Sequence, residues 1–165
     1  MLQVPEILST LDDNDRRIGA FVALGGDVHG RSYGPGKWTA AQILAHVADS
    51  NAAFYYRFMA IASEAGARMV PFDETVWARE LRTDLRPAAV SAAVIHGVNV
   101  GLAHHLRTLP QSSLDRSSPH PEHGELSAHR MASVLAQHTR HHLKQLEAIR
   151  DGRGWTKAEA LDYWH

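Results

Sequence analysis

Apolar residues recur at three- and four-residue steps over four long stretches of the chain, the spacing of amphipathic helices. The first stretch runs roughly from Val4 to Leu24. Val4, Ile7, Leu8, Leu11, Ile18, Phe21 and Val22 share a face, Pro5 suits the first turn, and Gly25-Gly26 stop the helix. The segment GGDVHGRSYGPGK is a loop. The second stretch has the clearest start signal: Thr39 and Gln42 form a capping-box pattern, and Trp38 with Ile43 a hydrophobic staple. Its stripe is Ile43, Val47, Phe54, Phe58 and Ile61, and it ends near Gly66. A long connection follows, ARMVPFDETVWARELRTDLRP, with a short helix expected around Glu74 to Arg79. The third stretch runs roughly from Pro87 to Leu109, with Val94, Val98, Leu102 and Leu106 on one face, and Pro110 ends it. After the loop QSSLDRSSPHPEHGEL, the fourth begins beyond Ser127 and ends near Gly152. The tail GWTKAEALDYWH is expected to add one short helix, and no strand is expected. These elements predict an all-α fold, a four-helix bundle with a long connection between the second and third helices, and one domain over residues 1–165.

Composition narrows the chemistry. Among the 165 residues the formal net charge is −1, so nothing points to nucleic acid or an anionic membrane as a partner. The N-terminal MLQVPEILSTLDDNDRR lacks the basic and apolar regions of a secretory signal, and no apolar run would span a bilayer. A cytoplasmic location is the expectation. There are no cysteines and 12 histidines, so a transition-metal site has to rest on imidazole and carboxylate.

The histidines fall in unexpected places. On a wheel of about 100° per residue, Met131, Leu135, Leu146 and Ile149 occupy a sector about 60° wide. His138 and His142 lie in that same sector, four residues apart and stacked on one face. His141 lies nearer the edge, and Arg140 and Lys144 point to solvent. Two imidazoles in a core stripe are costly unless each has a partner. A divalent metal satisfies both at this spacing; bonds to backbone or to each other are the alternative. The His-Glu-x-x-His zinc proteases use the same i, i+4 geometry, but Thr139, Arg140 and His141 leave out their general base. A third ligand is needed. His46 sits at the stripe edge of the second helix, in line with Ser50, Ala53 and Arg57. It lies about as far inside the start of that helix as His142 lies before the end of the fourth, to within roughly one residue, so antiparallel packing would bring them level. His105, in the stripe of the third helix, is the rival; its own alternative is a histidine favoured by a helix C-terminus. His96, His104, His129, His120 and His123 are expected at the solvated surface, and Asp49 is expected to face water.

The blocks KWTAAQILAHVADSNAAFYYRFMA, PFDETVWA, HPEHGEL and QHTRHHLKQL, in that order, resemble the DinB/YfiT-like family of bacterial metalloproteins, from about Trp38 to Leu146. The resemblance implies a bundle running up-down-down-up, and one divalent metal ion, zinc or nickel, held by three histidines that fall here on His46, His138 and His142. Ala136-Gln137 stand where the family commonly carries Trp or Tyr. The superfamily includes S-transferases that use low-molecular-weight thiols, a thiol-dependent isomerase and proteins known only as metal-dependent hydrolases.

Three imidazoles leave an open position on the metal, where a bound water or thiol becomes a nucleophile. The first functional expectation is a thiol S-transferase of detoxification type, acting on a small-molecule electrophile with a low-molecular-weight thiol. The second is a hydrolase using water, and the third a non-enzymatic dimeric stress protein with a structural metal. Arg57 is expected either to bind a carboxylate of the thiol cofactor or to pair with Asp73 or Glu74, and Trp77 to pack the loop. Leu44 and Tyr55 lie off the main stripes and, with Phe21, are expected at the surface. With the resemblance, they suggest a symmetric homodimer.

Overall fold

Start signals written into the chain set the helix boundaries. In the computed structural model, which describes residues 1–64, 66–120 and 122–164, Thr39 caps α2 (Ala40–Ser63). Its hydroxyl accepts from the Gln42 amide at 3.3 Å, and the Gln42 side chain accepts from the Thr39 amide at 2.9 Å. α1 covers Val4–Ala23, with Pro5 in its first turn. Gly25 and Gly26, both at positive φ, turn the chain away from it. α3 (Glu74–Glu80) is capped by Asp73, whose carboxylate accepts from the Thr75 and Val76 amides. α4 spans Ala88–Thr108, a single turn α5 covers Gln111–Leu114, and α6 covers Ala128–Arg150 behind the Ser127 cap.

The bundle's direction follows from its two apolar clusters. One joins Ile7 and Leu11 at the start of α1 to Phe58 and Ile61 at the end of α2, Leu102 and Leu106 at the end of α4, and Met131 and Leu135 at the start of α6. The other joins the opposite ends through Ile18, Ile43, Ile95 and Leu146. α1 and α6 therefore run one way and α2 and α4 the other, which is the up-down-down-up order. The long connection holding α3 makes the crossover between the parallel α2 and α4.

A polar belt divides the two clusters. Asn51 donates to Thr139 Oγ1 at 2.8 Å and Asn14 donates to the Ala136 carbonyl at 2.9 Å, all buried. His46, His138 and His142 lie at this level. The same belt explains Ala136-Gln137: Ala136 is enclosed against α1, and Gln137 donates to Ser133 Oγ on its own helix.

Four expectations need correction. Ser117–His120 (β1) and Gly124–Ser127 (β2) form an antiparallel hairpin where a loop was expected. It carries no alternation of apolar residues; Ser118 and Leu126 alone are buried, so the sequence gives no strand signal. The tail forms a 3-10 turn at Lys157–Glu159 and then an extended segment, not an α-helix. The face of α4 is rotated: Ile95, Leu102, Ala103 and Leu106 are buried while Val94 is exposed. Leu44 and Phe21 are buried and offer no free surface, and Tyr55 is half-buried against the core. Pro121 of the His-Pro block and His165 of the tail lie outside the described residues.

Candidate metal centre

α2 and α6 meet antiparallel, and their facing histidines converge. His46 Nε2 lies 3.2 Å from His138 Nε2 and 3.1 Å from His142 Nε2, and the last two are 3.2 Å apart. All three rings are buried. Three nitrogens at mutual hydrogen-bond distance cannot satisfy one another, because each neutral ring has one N–H and one lone pair. Tetrahedral bonds of about 2.0–2.1 Å would set ligand nitrogens about 3.3 Å apart, close to the spacing seen. The triangle therefore fits one divalent ion. His105 lies elsewhere, against the rings of Tyr55 and Phe58, so the rival ligand is not brought to the cluster.

Surrounding groups fix the rings. Gln145 Oε1 lies 2.7 Å from His142 Nδ1, so the ring proton sits on Nδ1 and the Nε2 lone pair faces the other histidines. Ser50 Oγ is 3.4 Å from His46 Nδ1, and the Trp38 ring packs against His46. His138 is held edge-on by Phe54 and Tyr163. Burial pushes the His46 pKa down to about 4, with His141 adding to the fall and Asp49 opposing it. Burial also pushes His138 and His142 well down, reinforced by their neighbouring histidines. Neutral imidazole, the metal-binding form, is thus favoured at each position.

A cavity of about 330 Å³ opens against His138, lined by Phe54, Arg57, Phe72, Glu74, Tyr163 and Trp164, among others. A cleft of about 380 Å³ between α1 and α6 is larger but is lined by Arg16, Arg17, Glu147 and Arg150, away from the histidines. A Glu74 carboxylate oxygen lies 3.7 Å from His46 Nε2. Desolvation raises the Glu74 pKa and Asp73 raises it further; the side chain is 61% exposed, so water moderates both effects.

Arg57 reaches neither Asp73 nor Glu74. It is buried, donates from Nη2 to the Val70 carbonyl at 2.6 Å, and lies over the Phe54 and Phe72 rings. Trp77 stacks on Phe72 at 4.5 Å, the loop packing expected. Asp49 does not simply face water but pairs with Arg86 at 2.7 Å. His129 is buried at 2.9 Å from the Leu2 carbonyl, and His120 and His123 are half-buried against Trp164. His96 and His104 are exposed, as expected. Buried His141 accepts the Leu161 amide at Nδ1 over 3.1 Å, which ties the tail to α6 and brings Tyr163 and Trp164 to the cavity. The reading of the sequence missed Gln145, Glu74 and the tail aromatics. Gln145, one helical turn past His142, was the one with a local signal.

The sequence profile of the DinB superfamily matches residues 10–146. A protein of Oceanobacillus iheyensis named "Putative metal-dependent hydrolase" is 31% identical over 124 residues, covering 75% of this chain and 72% of that one. A Bacillus mycoides protein bearing the same description is 30% identical over 123 residues, covering 74% and 70%. Among solved structures, YfiT from Bacillus subtilis, described as "a probable metal-dependent hydrolase with an unusual four-helix bundle topology", aligns with a TM-score of 0.82. It is 22% identical, and the match covers 92% of this chain and 89% of that one. That likeness establishes the four-helix bundle fold.

Proposed function

The chain belongs to the DinB superfamily, and on that premise we propose that it is a metal-dependent hydrolase whose ion, zinc or nickel, is held by His46, His138 and His142. The observation that carries this reading is the buried triangle of three Nε2 atoms beside an open cavity. A structural site is normally closed by four protein ligands, whereas three ligands and a cavity suit catalysis. When bound, the ion supplies Lewis acidity and lowers the pKa of a coordinated water. The chain's own groups do the rest. Gln145 holds the His142 tautomer, and Phe54 and Tyr163 hold the His138 ring and keep that side of it dry. Glu74, beside His46 at the cavity wall, is positioned to take a proton from the nucleophile and return it to the leaving group.

The names of the relatives favour water as the nucleophile. The thiol S-transferase reading is supported by buried Arg57, a suitable partner for a thiol cofactor's carboxylate. The homodimer implied by the family resemblance is also proposed, through a face other than Leu44 and Phe21.

Metal analysis of untagged protein, followed by turnover of activated esters with and without low-molecular-weight thiols, tests these readings. Ester turnover that needs no thiol is the expected result. Turnover strictly dependent on thiol would replace hydrolysis with transfer. His142→Ala should lose metal and turnover together; full activity without metal would end both metal-dependent readings.

A further inference from the structure

The cavity beside His138 has a second charged end that the proposed metal chemistry leaves unused. Arg57 is 5% exposed and feels the charge of Glu122, yet among the described residues no carboxylate lies within hydrogen-bonding distance of it. Among the described residues its one hydrogen bond goes to the Val70 carbonyl, which leaves most of the five guanidinium N–H donors for a ligand or water. The nitrogens not bonded to Val70 are not sealed in the interior; they open onto the cavity, where a bound anion would meet them. Phe54 stands between the two ends, under Arg57 on one side and edge-on to His138 on the other. The opposite wall is flat: His123 stacks on Trp164 with centroids 3.9 Å apart and planes 11° apart.

The shape of the charge selects the anion. One planar guanidinium matches a carboxylate through two parallel N–H bonds. Glu74 and Glu122 line the same cavity, so a second negative charge on the ligand would be opposed. We propose that Arg57 is the anion-binding residue of this cavity. The substrate is a small carboxylate monoanion with a flat apolar body, its hydrolysable group turned toward His138. The identification of a substrate rests on the hydrolytic reading; the anion site does not.

Benzoate, benzamide and phenyl phosphate, titrated into metal-free and zinc-loaded full-length protein, test it through tryptophan fluorescence, since Trp164 lines the cavity. Benzoate should bind at least about tenfold tighter than either analogue, with or without zinc, the worth of one charge-assisted hydrogen bond. Arg57→Gln should abolish the preference and Arg57→Lys should weaken it. Equal binding of benzamide overturns the proposal whether or not the variants fold. So does a preference that appears only with zinc, which would make the ion the anion site, or one that survives Arg57→Gln. Hydrolysis of 4-acetoxybenzoate, which carries a carboxylate, a flat ring and an ester in that order, is scored separately. Benzoate preference without any turnover would end the hydrolytic reading and keep the anion site; turnover without preference would do the reverse.

Discussion

Gln145 lies one turn beyond His142 and accepts its Nδ1 proton, so a metal-affinity effect is expected from a residue that does not touch the metal. Gln145→Leu keeps the helix and most of the volume but frees the ring to adopt the other tautomer. Metal affinity should fall about 10–100-fold, as is typical for such supporting contacts; competition with a chromogenic chelator reads it. Unchanged affinity would show that packing alone orients His142. Protonation offers a second test. The folded His46 pKa is about 4, below its ordinary 6.5, so as pH falls the unfolded chain takes up the proton first. The stability this supplies is complete above about pH 6.5 and is lost toward pH 4. His138 and His142 are shifted in the same direction. The urea midpoint of chelated protein should drop through this window, and His46→Phe should reduce the drop. A flat profile would contradict the buried, neutral triangle.

At the scale of elements, Gly101 shows how closely α2 and α4 approach. A Cβ there would stand 2.6 Å from the Tyr55 hydroxyl and 3.0 Å from its ring carbon. Gly101→Ala should therefore destabilise by about 1 kcal/mol, as overpacking outweighs the better helix propensity of alanine. Tyr55→Phe in the same chain should recover part of the loss, and denaturant melts of the double cycle would reveal the coupling. Additive effects would mean the ring moves aside freely. The elements themselves were unevenly legible. α2 was readable at its first residue because Thr39 and Gln42 are a local signal, and α6 because its stripe is long and periodic. His46 was reachable from helix levels, though periodicity alone could not separate it from His105. The β1–β2 hairpin and the tail were hidden because long-range contacts hold them: Leu126 joins the core, and Leu161 is tied to His141 twenty residues away. Those two segments supply His120, His123, Tyr163 and Trp164, so the cavity was far less legible than the ligands.

At the scale of the whole molecule, the metal site occupies the polar belt between two apolar clusters, each drawing on all four long helices. Either cluster joins α2 to α6 without help from an ion. This predicts that chelation leaves the bundle folded, in contrast to small domains whose fold depends on the metal. The ion should still add stability by binding the native state alone, about 2.7 kcal/mol when free metal is a hundredfold above its dissociation constant. For a chain of this size each kcal/mol moves the melting temperature by about 2–4 °C, so chelation should lower it by roughly 5–11 °C. Far-UV circular dichroism should keep its helical signal below that transition. In His46→Ala, where one corner of the triangle is gone, added zinc should restore little of the difference. Loss of helical signal on chelation at room temperature would make the ion a structural requirement, and the third reading of the sequence would then outweigh the enzymatic ones. Equal melting temperatures with and without zinc, at saturating metal, would mean that the triangle does not hold the ion.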